Sequence, residues 1–353
     1  TSCSETHDPM TELLKDPYGD YQETGGEIAF VFDGVIEDGS YNEEIYEGIR
    51  MYALAAGISF SHYGTEEDSP KGHVAAIEHA VLSQAGIIVC AGYDFQEAVE
   101  ELQGEYPEIS FLLIDGNLED GEVGKVKLQK NVHCVLFREE ESGYLAGYMA
   151  VLEGYRRLGF LGSEKEPSVT RYGYGYLQGI EDAAQDMGLE DVMVNYYYTG
   201  SHLPEQETKE LAQQWYEAGT EVIFVCGDSL YGAVLEAAKE KDGMLIGAGR
   251  DQSGISKRFL TSAIKDITNG VIISLDEYYA YGREWSKDFA GKCVRYGASN
   301  RCTGIPVQDT EWRFQNVTRE DFLEIYQRIR SGETKVSDEM KQKPHLDITV
   351  IYL

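Results

Sequence analysis

Residues 28–42 have the sequence IAFVFDGVIEDGSYN, and this stretch decides the fold class. Its first five residues are all apolar, which is typical of a parallel strand that is buried on both faces. Residues 43–56 follow with apolar side chains at helical spacing. A strand, a loop and a helix in this order are the unit of an open α/β sheet, which binds ligands at the carboxyl ends of its strands. We therefore predict an α/β fold with a binding site at this loop.

The loop within this stretch carries groups that suit recognition of a small planar molecule. Asp33 and Asp38 supply carboxylates, Tyr41 supplies an aromatic face, and Asn42 supplies an amide that donates and accepts hydrogen bonds. Stacking on an aromatic side chain contributes about 1–3 kcal/mol where it has been measured on nucleobases. The pattern indicates a small polar aromatic ligand. An ordinary acidic connection between strand and helix, with Asn42 as the helix N-cap, remains the alternative.

The composition indicates a folded, strongly acidic protein with more than one domain. A chain of 353 residues is too long for one ordinary domain, and its 42% of hydrophobic residues can build sizeable cores. Sixty-two acidic residues against 30 basic residues give a formal net charge of -32. Because this charge repels phosphates and the sequence contains no basic patch, a nucleic-acid partner is excluded and an anionic ligand is disfavoured.

The first residues and the cysteines allow fewer conclusions. Residues 1–25, which include Cys3, are polar and lack periodicity, so they predict a flexible tether of a secreted protein or a trimmed lipoprotein. No apolar run approaches the ~20 residues that span a bilayer. Cys293 and Cys302 bracket a turn-rich segment, and whether they form a disulfide depends on the compartment. The sequence lacks a CxxC motif and a His-rich cluster, so we expect no metal and no cofactor.

Strands and helices alternate along most of the chain, which is typical of parallel sheets covered by helices. The predicted strands are 27–33, 58–63, 86–91, 109–115, 132–137, 158–162, 191–198, 221–226, 244–248 and 259–264. The predicted helices are 43–56, 71–84, 94–105, 139–154, 173–187, 205–218, 230–241 and 268–290. The series restarts after residue 154, which favours two doubly wound lobes over a single barrel.

The last part of the chain departs from this alternation. Residues 307–314 alternate as a strand does, and residues 318–330 form an amphipathic helix that Asn316 or Thr318 caps. Residues 348–353 are mostly apolar and predict either a short late strand or a loose end.

Four motifs together resemble the basic membrane protein family, whose members are purine-nucleoside-receptor-like lipoproteins of bacterial ABC transporters. EDGSYN at 37–42 is similar to the family's DDKSFN before a helix. FREEESGYLAG at 137–147, GFLG at 159–162 with PSV at 167–169, and LTSAIK at 260–265 match further family segments in order and spacing. The resemblance covers roughly residues 26–315.

The resemblance implies a type I periplasmic-binding-protein fold, with two Rossmann-like lobes joined by a hinge. The implied boundaries are a tether (1–25), a first lobe (26–137 and 266–302), a second lobe (138–265 and 303–316) and a C-terminal helix and tail (317–353). The implied function is capture of a purine nucleoside or base between the lobes and its delivery to an ABC permease. We expect a monomer that is anchored by lipid outside the cytoplasm. A sensory receptor and, less favoured, a nucleoside hydrolase are the alternatives.

In the first lobe, the resemblance implies that Asp33 hydrogen-bonds the ligand and that Tyr41, at a family phenylalanine, stacks on the base beside Asn42. Asp115 ends a predicted strand, so we expect it to face the ligand. Tyr93 lies near a neighbouring strand end, where it lines the pocket or packs within its loop.

In the second lobe, the family presents a second aromatic group where this chain has His202. The loop from Gly227 to Gly232 would let the backbone approach the ligand, and Asp251 and Lys265 would meet ribose hydroxyls. Lys265 has the alternative of pairing with a carboxylate. The chain departs from the family at Gly249, where the family has an aspartate that contacts ribose, so a free base remains an alternative ligand.

Overall fold

The computed structural model describes residues 26–37, 39–116, 127–227, 229–340, 344 and 346–353. The predicted tether with Cys3, and the loop residue Asp38, lie outside the described residues. The described chain is an α/β protein with two sheets in which parallel pairing dominates, as predicted. No helix in these described ranges is long and apolar enough to cross a membrane.

The first sheet is built around the opening strand. Its strands in the described residues are β1 (Ile28–Phe32), β2 (Phe60–Gly64), β3 (Ile87–Ala91), β4 (Ser110–Ile114), β5 (Val132–Phe137) and β11 (Lys292–Tyr296). They lie in the order β11-β5-β4-β3-β1-β2. β1 pairs in parallel with both β2 and β3, and Ile28 lies opposite Phe60 and Ile87. Every residue of β1 is buried, which explains why its sequence is uniformly apolar.

The second sheet repeats this design and ends in a late strand. Its strands in the described residues are β6 (Arg157–Gly162), β7 (Met193–Tyr198), β8 (Val222–Cys226), β9 (Met244–Gly249), β10 (Phe259–Lys265), β12 (Thr303–Gly304) and β13 (Thr349–Tyr352). They lie in the order β12-β10-β9-β8-β6-β7-β13. β13 pairs in parallel with β7, so the chain end forms the predicted strand rather than a loose end.

Helices connect the strands at the predicted places. They are α1 (Tyr41–Ala56), α2 (Pro70–Leu82), α3 (Gln96–Leu102), α4 (Glu139–Glu153), α5 (Pro167–Met187), α6 (Gln206–Glu217), α7 (Tyr231–Lys241), α8 (Ile267–Ala280) and α9 (Arg319–Ser331). Thr318 caps α9 through a capping box with Asp321, which settles the choice between Thr318 and Asn316.

Two predicted helix bounds and one predicted strand are wrong for identifiable reasons. α5 begins at Pro167 rather than at 173, because proline suits the first position of a helix. α8 ends at Ala280 rather than at 290, and Gly282 and Arg283, with φ of 94° and 66°, turn the chain out of the helix. Residues 307–314 form no strand: pairing in this region is confined to β12, and Pro306, which lacks a backbone N–H, follows soon after.

Close contact between α4 and α5 explains the glycines of the FREEESGYLAG motif. A Cβ at Gly143 or Gly147 would overlap the carbonyl oxygen of Tyr172 or Tyr176 on α5. A Cβ at Gly175 would in turn overlap the backbone of Glu140 on α4. The two helices therefore pack backbone against backbone, which only glycine allows at these positions.

The described residues group into two compact units. The first unit takes its residues from 1–116, 121–134 and 274–292, and the second from 117–120, 135–273 and 293–353. Residues 266–273 and 293–302 thus belong with the second unit by their contacts. Cys293 and Cys302 both carry free thiols, so the disulfide considered above is not formed.

Candidate ligand-binding site

Asp33 lies at the carboxyl end of β1, and two neighbours hold its carboxylate. One oxygen accepts a hydrogen bond from the hydroxyl of Thr65, which follows β2, and the other lies 2.7 Å from Nε2 of His73 in the first turn of α2. His73 is 5% exposed, and its ring packs 4.5 Å from the ring of Phe95. The carboxylate is therefore fixed in orientation. Sequence reasoning missed both partners, although Thr65 stands just beyond the carboxyl end of the neighbouring strand and His73 lies in the first turn of the helix that follows it.

Asn42 organises the loop that follows Asp33. Its amide nitrogen donates to the carbonyl oxygens of Asp33 at 2.8 Å and of Val35 at 3.0 Å. The helix N-cap is Ser40, whose hydroxyl accepts from the backbone N–H of Glu43, so the alternative role of Asn42 as the N-cap is wrong. Both amide hydrogens of Asn42 are committed to the loop backbone, which fixes the loop on α1.

Tyr41 and Asp115 meet at the same edge of the first sheet. The Tyr41 hydroxyl hydrogen-bonds the Asp115 carboxylate and lies 3.4 Å from the carbonyl oxygen of Ile114. Burial, and then the charge and hydrogen bond of Asp115, raise the pKa of Tyr41 well above its usual value. Asp115 has a φ of 57°, in the left-handed region that few residues other than glycine adopt and that often marks functional sites. The structure thus brings together the ring and the carboxylate that the sequence placed after two different strands.

The turn after β3 completes this edge. Tyr93 and Phe95 belong to a single 3₁₀ turn, Tyr93–Phe95, but Phe95 is buried while Tyr93 is 51% exposed. Asp94 is the middle residue of this turn. Its burial, and secondly the nearby carboxylates of Asp68 and Asp33, raise the pKa of Asp94. The first edge is accordingly acidic, with one exposed aromatic ring beside it.

In the second unit, the strand ends carry small residues and one histidine. Gly227 follows β8 with a φ of 137°, and a Cβ there would overlap the side chain of Ser163, which follows β6. Gly232 lies inside the first turn of α7 rather than in the loop. His202 is half-buried, and its Nε2 lies 3.2 Å from the Glu166 carboxylate. The histidine therefore sits beside a potential proton acceptor at this edge.

Lys265 takes part in a buried ion network at the end of β10. Its Nζ lies 3.1 Å from Glu139, the first residue of α4, and Glu139 also accepts from Nε of Arg171 at 2.6 Å and from Ser168 at 2.9 Å. Burial alone would raise the pKa of Glu139, but the charges of Arg171 and Lys265 lower it from 4.5 to about 2. The lysine is thus paired with a carboxylate, the alternative noted in the sequence.

Gly249 and Asp251 occupy the end of β9. Gly249 has a φ of 87°, and no neighbouring atom lies within 4 Å of the position a Cβ would take. Space is available there, but the backbone conformation disfavours any other residue, including the aspartate of the family. Asp251 is exposed, and its carboxylate accepts from the backbone N–H of Ser253 at 2.9 Å.

Two groups of side chains in the described ranges place potential metal-ligand atoms within 4.8 Å of one another. They are Asp33, Asp68 and His73 in the first unit, and Glu164, Glu166 and His202 in the second. In each group a histidine nitrogen already faces a carboxylate at hydrogen-bond distance. Because these hydrogen bonds account for the clusters, we assign no metal to them.

The comparisons with known proteins agree with this architecture. Residues 26–340 match the model of the Bmp family, described as PnrA-like ABC transporter substrate-binding proteins. The chain belongs to this family. The family consists of solute-binding proteins that act outside the cytoplasm with a small-molecule ligand and a permease partner, and the resemblance stated from the sequence is confirmed.

Relatives of the family cover most of the chain. Basic membrane protein B of Borrelia garinii subsp. bavariensis is 28% identical over 317 residues, which are 85% of this chain and 84% of that protein. The ABC transporter nucleoside-binding protein BmpA of Lactococcus lactis subsp. cremoris is 24% identical over 235 residues, 63% of each chain.

Solved structures of solute-binding proteins have the same fold. A solute-binding protein of an ABC transporter from Conexibacter woesei superposes with a TM-score of 0.69 at 20% identity, covering 88% of this chain and 98% of that one. Another from Aeropyrum pernix K1 gives 0.65 at 22% identity, covering 87% and 92%. The predicted type I periplasmic-binding-protein fold is confirmed.

Proposed function

We propose that this protein binds a purine nucleoside and delivers it to the permease of an ABC transporter. The observation that carries the proposal is the meeting of Tyr41 and Asp115 at the carboxyl edge of the first sheet, the same edge that carries the fixed carboxylate of Asp33. The family relationship supports it, because one relative from Lactococcus lactis is named a nucleoside-binding protein.

The chemistry of this edge suits a purine. The ring of Tyr41 offers a face on which a base stacks, a contact that contributes about 1–3 kcal/mol per base. Asp115 offers carboxylate oxygens to N–H donors at the base edge, and such charge-assisted hydrogen bonds are about twice as strong as neutral ones. Asp33, held by Thr65 and His73, offers a second acceptor for a hydroxyl or an N–H group. The acidic edge disfavours a phosphorylated ligand.

We further propose that the loops of the second unit take part in binding, as the family resemblance implies. Asp251 and the His202 loop offer polar groups, while Gly227 offers backbone without a side chain. Lys265 is 8% exposed and paired with Glu139. In this proposal it supports the end of β10 rather than contacting the ligand. A monomeric state and a lipid anchor are expectations that rest on the resemblance alone.

A binding screen tests the proposal directly. Thermal unfolding is measured with inosine, guanosine, adenosine, cytidine, the free purine bases and ribose, followed by calorimetric titration of each compound that stabilises the protein. A ligand at 100 times its dissociation constant adds about 2.7 kcal/mol to the free energy of unfolding. We expect purine nucleosides to stabilise the protein and cytidine and ribose not to do so.

The same samples separate binding from catalysis. Chromatography of the nucleosides after long incubation shows whether base is released, and we expect none. A protein that ignores every purine nucleoside, or that is stabilised by ribose alone, contradicts the proposed ligand.

A further inference from the structure

His73 faces carboxylates at the carboxyl edge of the first sheet. Its Nε2 lies 2.7 Å from an oxygen of Asp33 and 3.6 Å from an oxygen of Asp68. Because an ionised carboxylate only accepts hydrogen bonds, Nε2 carries a proton in the neutral ring as well as in the charged ring. The histidine therefore donates to Asp33 in both of its charge states.

The surroundings of His73 hold its ring in this position. The residue is 5% exposed, and its ring packs 4.5 Å from the ring of Phe95. Its backbone N–H donates to the carbonyl oxygen of Ser69, the N-cap of α2, at 2.9 Å. Protonation of the ring thus adds a positive charge next to Asp33 while the donor stays in place.

The turn that packs against His73 brings a third carboxylate to this cluster. Asp94 precedes Phe95 in that turn. Burial, and then the carboxylates of Asp68 and Asp33, raise the pKa of Asp94, and the charge of His73 opposes them. The acidic groups around the ring are accordingly Asp33 after β1, Asp68 before α2 and Asp94 after β3.

We propose that His73 is a positioning residue whose charge state sets how strongly Asp33 binds the ligand, so that affinity is high when His73 is neutral and falls when it is protonated. The inference rests on the proposed function, since it takes Asp33 as a contact of the nucleoside. Beside the bonds from Thr65 and His73, both carboxylate oxygens keep acceptor positions for a ligand donor. The extra proton changes the charge that this donor meets and leaves the number of positions unchanged.

A protonated His73 and a donor group of the nucleoside are attracted to the same negative charge. An imidazolium neutralises more of the Asp33 charge than a neutral N–H does, so a ligand hydroxyl or N–H gains less from the carboxylate. The coupling is reciprocal: the bound nucleoside favours the neutral ring, and binding releases a proton. Histidines change charge between about pH 5 and pH 8, so the affinity falls as the pH drops through this range.

Calorimetric titration of the full chain with inosine at pH 8 and at pH 5 tests the inference. We expect the wild-type affinity to be about tenfold weaker at pH 5, within the usual range of coupling between two binding events. Titrations at pH 6.5 in two buffers of different ionisation enthalpy count the protons that are exchanged. We expect a net release of protons on binding.

Replacing His73 by glutamine separates the proton from the hydrogen bond. Glutamine keeps an N–H donor for Asp33 but takes up no proton in this pH range. We expect His73→Gln to bind inosine equally at pH 5 and pH 8 and to release no proton. The matched control is His79→Gln on the same helix, where the exposed His79 ring packs 4.6 Å from the ring of Tyr63. The control should keep the wild-type pH dependence.

The outcomes distinguish this inference from the proposed function. A wild-type affinity that is equal at both pH values, or higher at pH 5, overturns the inference even if His73→Gln fails to fold. A pH dependence that survives in His73→Gln belongs to another group, such as Asp94, and overturns it as well. A wild-type protein that binds no purine nucleoside at pH 8 refutes the proposed function itself.

Discussion

Replacing Glu139 by glutamine removes the charge at the centre of the buried ion network while keeping the size of the side chain. Glu139 is 0% exposed, and it faces Arg171 and Lys265, which are 4% and 8% exposed. Without the carboxylate, two buried cations lose their common anion. Breaking a buried ion pair by removing one partner costs about 3–5 kcal/mol, and we expect a loss of this order in the free energy of unfolding of Glu139→Gln.

The pKa of Glu139 gives a second estimate of how much this carboxylate stabilises the fold. Its burial favours protonation, but Arg171 and Lys265 outweigh this and lower the pKa from 4.5 to about 2. One pKa unit corresponds to about 1.4 kcal/mol, so this difference corresponds to roughly 3 kcal/mol. Because the pKa is lower in the folded state, the contribution is complete above pH 4.5 and is lost as the pH falls towards about 2.

Urea unfolding at pH 7 and at pH 3 measures both effects. Trp215 and Trp312 lie in the second unit with Glu139, so their fluorescence follows the unit that the substitution weakens. Glu210→Gln, on the exposed face of α6, is the matched control and should stay within about 0.5 kcal/mol of wild type. A loss below about 1 kcal/mol at pH 7 would contradict the magnitude from the pair energy. A difference from wild type that does not shrink at pH 3 would contradict the pKa argument.

Three further predictions concern the second unit. Burial, and then the charge of Glu139, raise the pKa of Glu140 from 4.5 to about 8, so this carboxyl weakens the fold as the pH rises between those values. In urea unfolding, the free energy of unfolding of Glu140→Gln should equal that of wild type at pH 5 and exceed it at pH 9. Equal values at pH 9 would refute this prediction. Gly175→Ala should lower the free energy of unfolding by about 1–3 kcal/mol, because the new Cβ overlaps the backbone of the facing helix. Gly249→Ala should lower the free energy of unfolding by about 1 kcal/mol or more, because alanine is strained at the φ of 87°. Gly254→Ala is the control for both glycines, since it has open space and no positive φ, and a control loss as large as theirs would contradict both explanations.

The strands were predictable because burial on both faces leaves a direct trace in the sequence. β1, β3 and β8 are uniformly buried, and each is a continuous apolar run. Helix ends were less predictable, since they depend on single residues whose conformation only the fold determines. Arg283, with a φ of 66°, turns the chain just beyond α8, yet nothing in its side chain distinguishes it from an exposed helical arginine.

The candidate site was predictable as a set of positions but not as a set of contacts. Strand ends indicated Asp33 and Asp115, because the carboxyl edge of a parallel sheet is where ligands bind. The contact of Tyr41 with Asp115 joins residues far apart in the chain, and the left-handed backbone conformation of Asp115 leaves no trace in a sequence pattern. Long-range partners such as His73, 40 residues after Asp33, arise from the packing of a helix turn against a strand end.

These contacts have a common consequence for binding. Asp33 is held by Thr65 and His73, the loop after it is held by Asn42, and Tyr41 is held by Asp115. The side chains therefore lose this conformational entropy when the first unit folds. Ligand binding does not have to order them a second time. Immobilising one flexible side chain on binding costs about 0.5–1.5 kcal/mol, so an edge ordered in advance retains more of each stacking and hydrogen-bond contact as affinity. In the proposed site, the contacts that order Asp33, the loop after it and Tyr41 thus strengthen binding of the ligand.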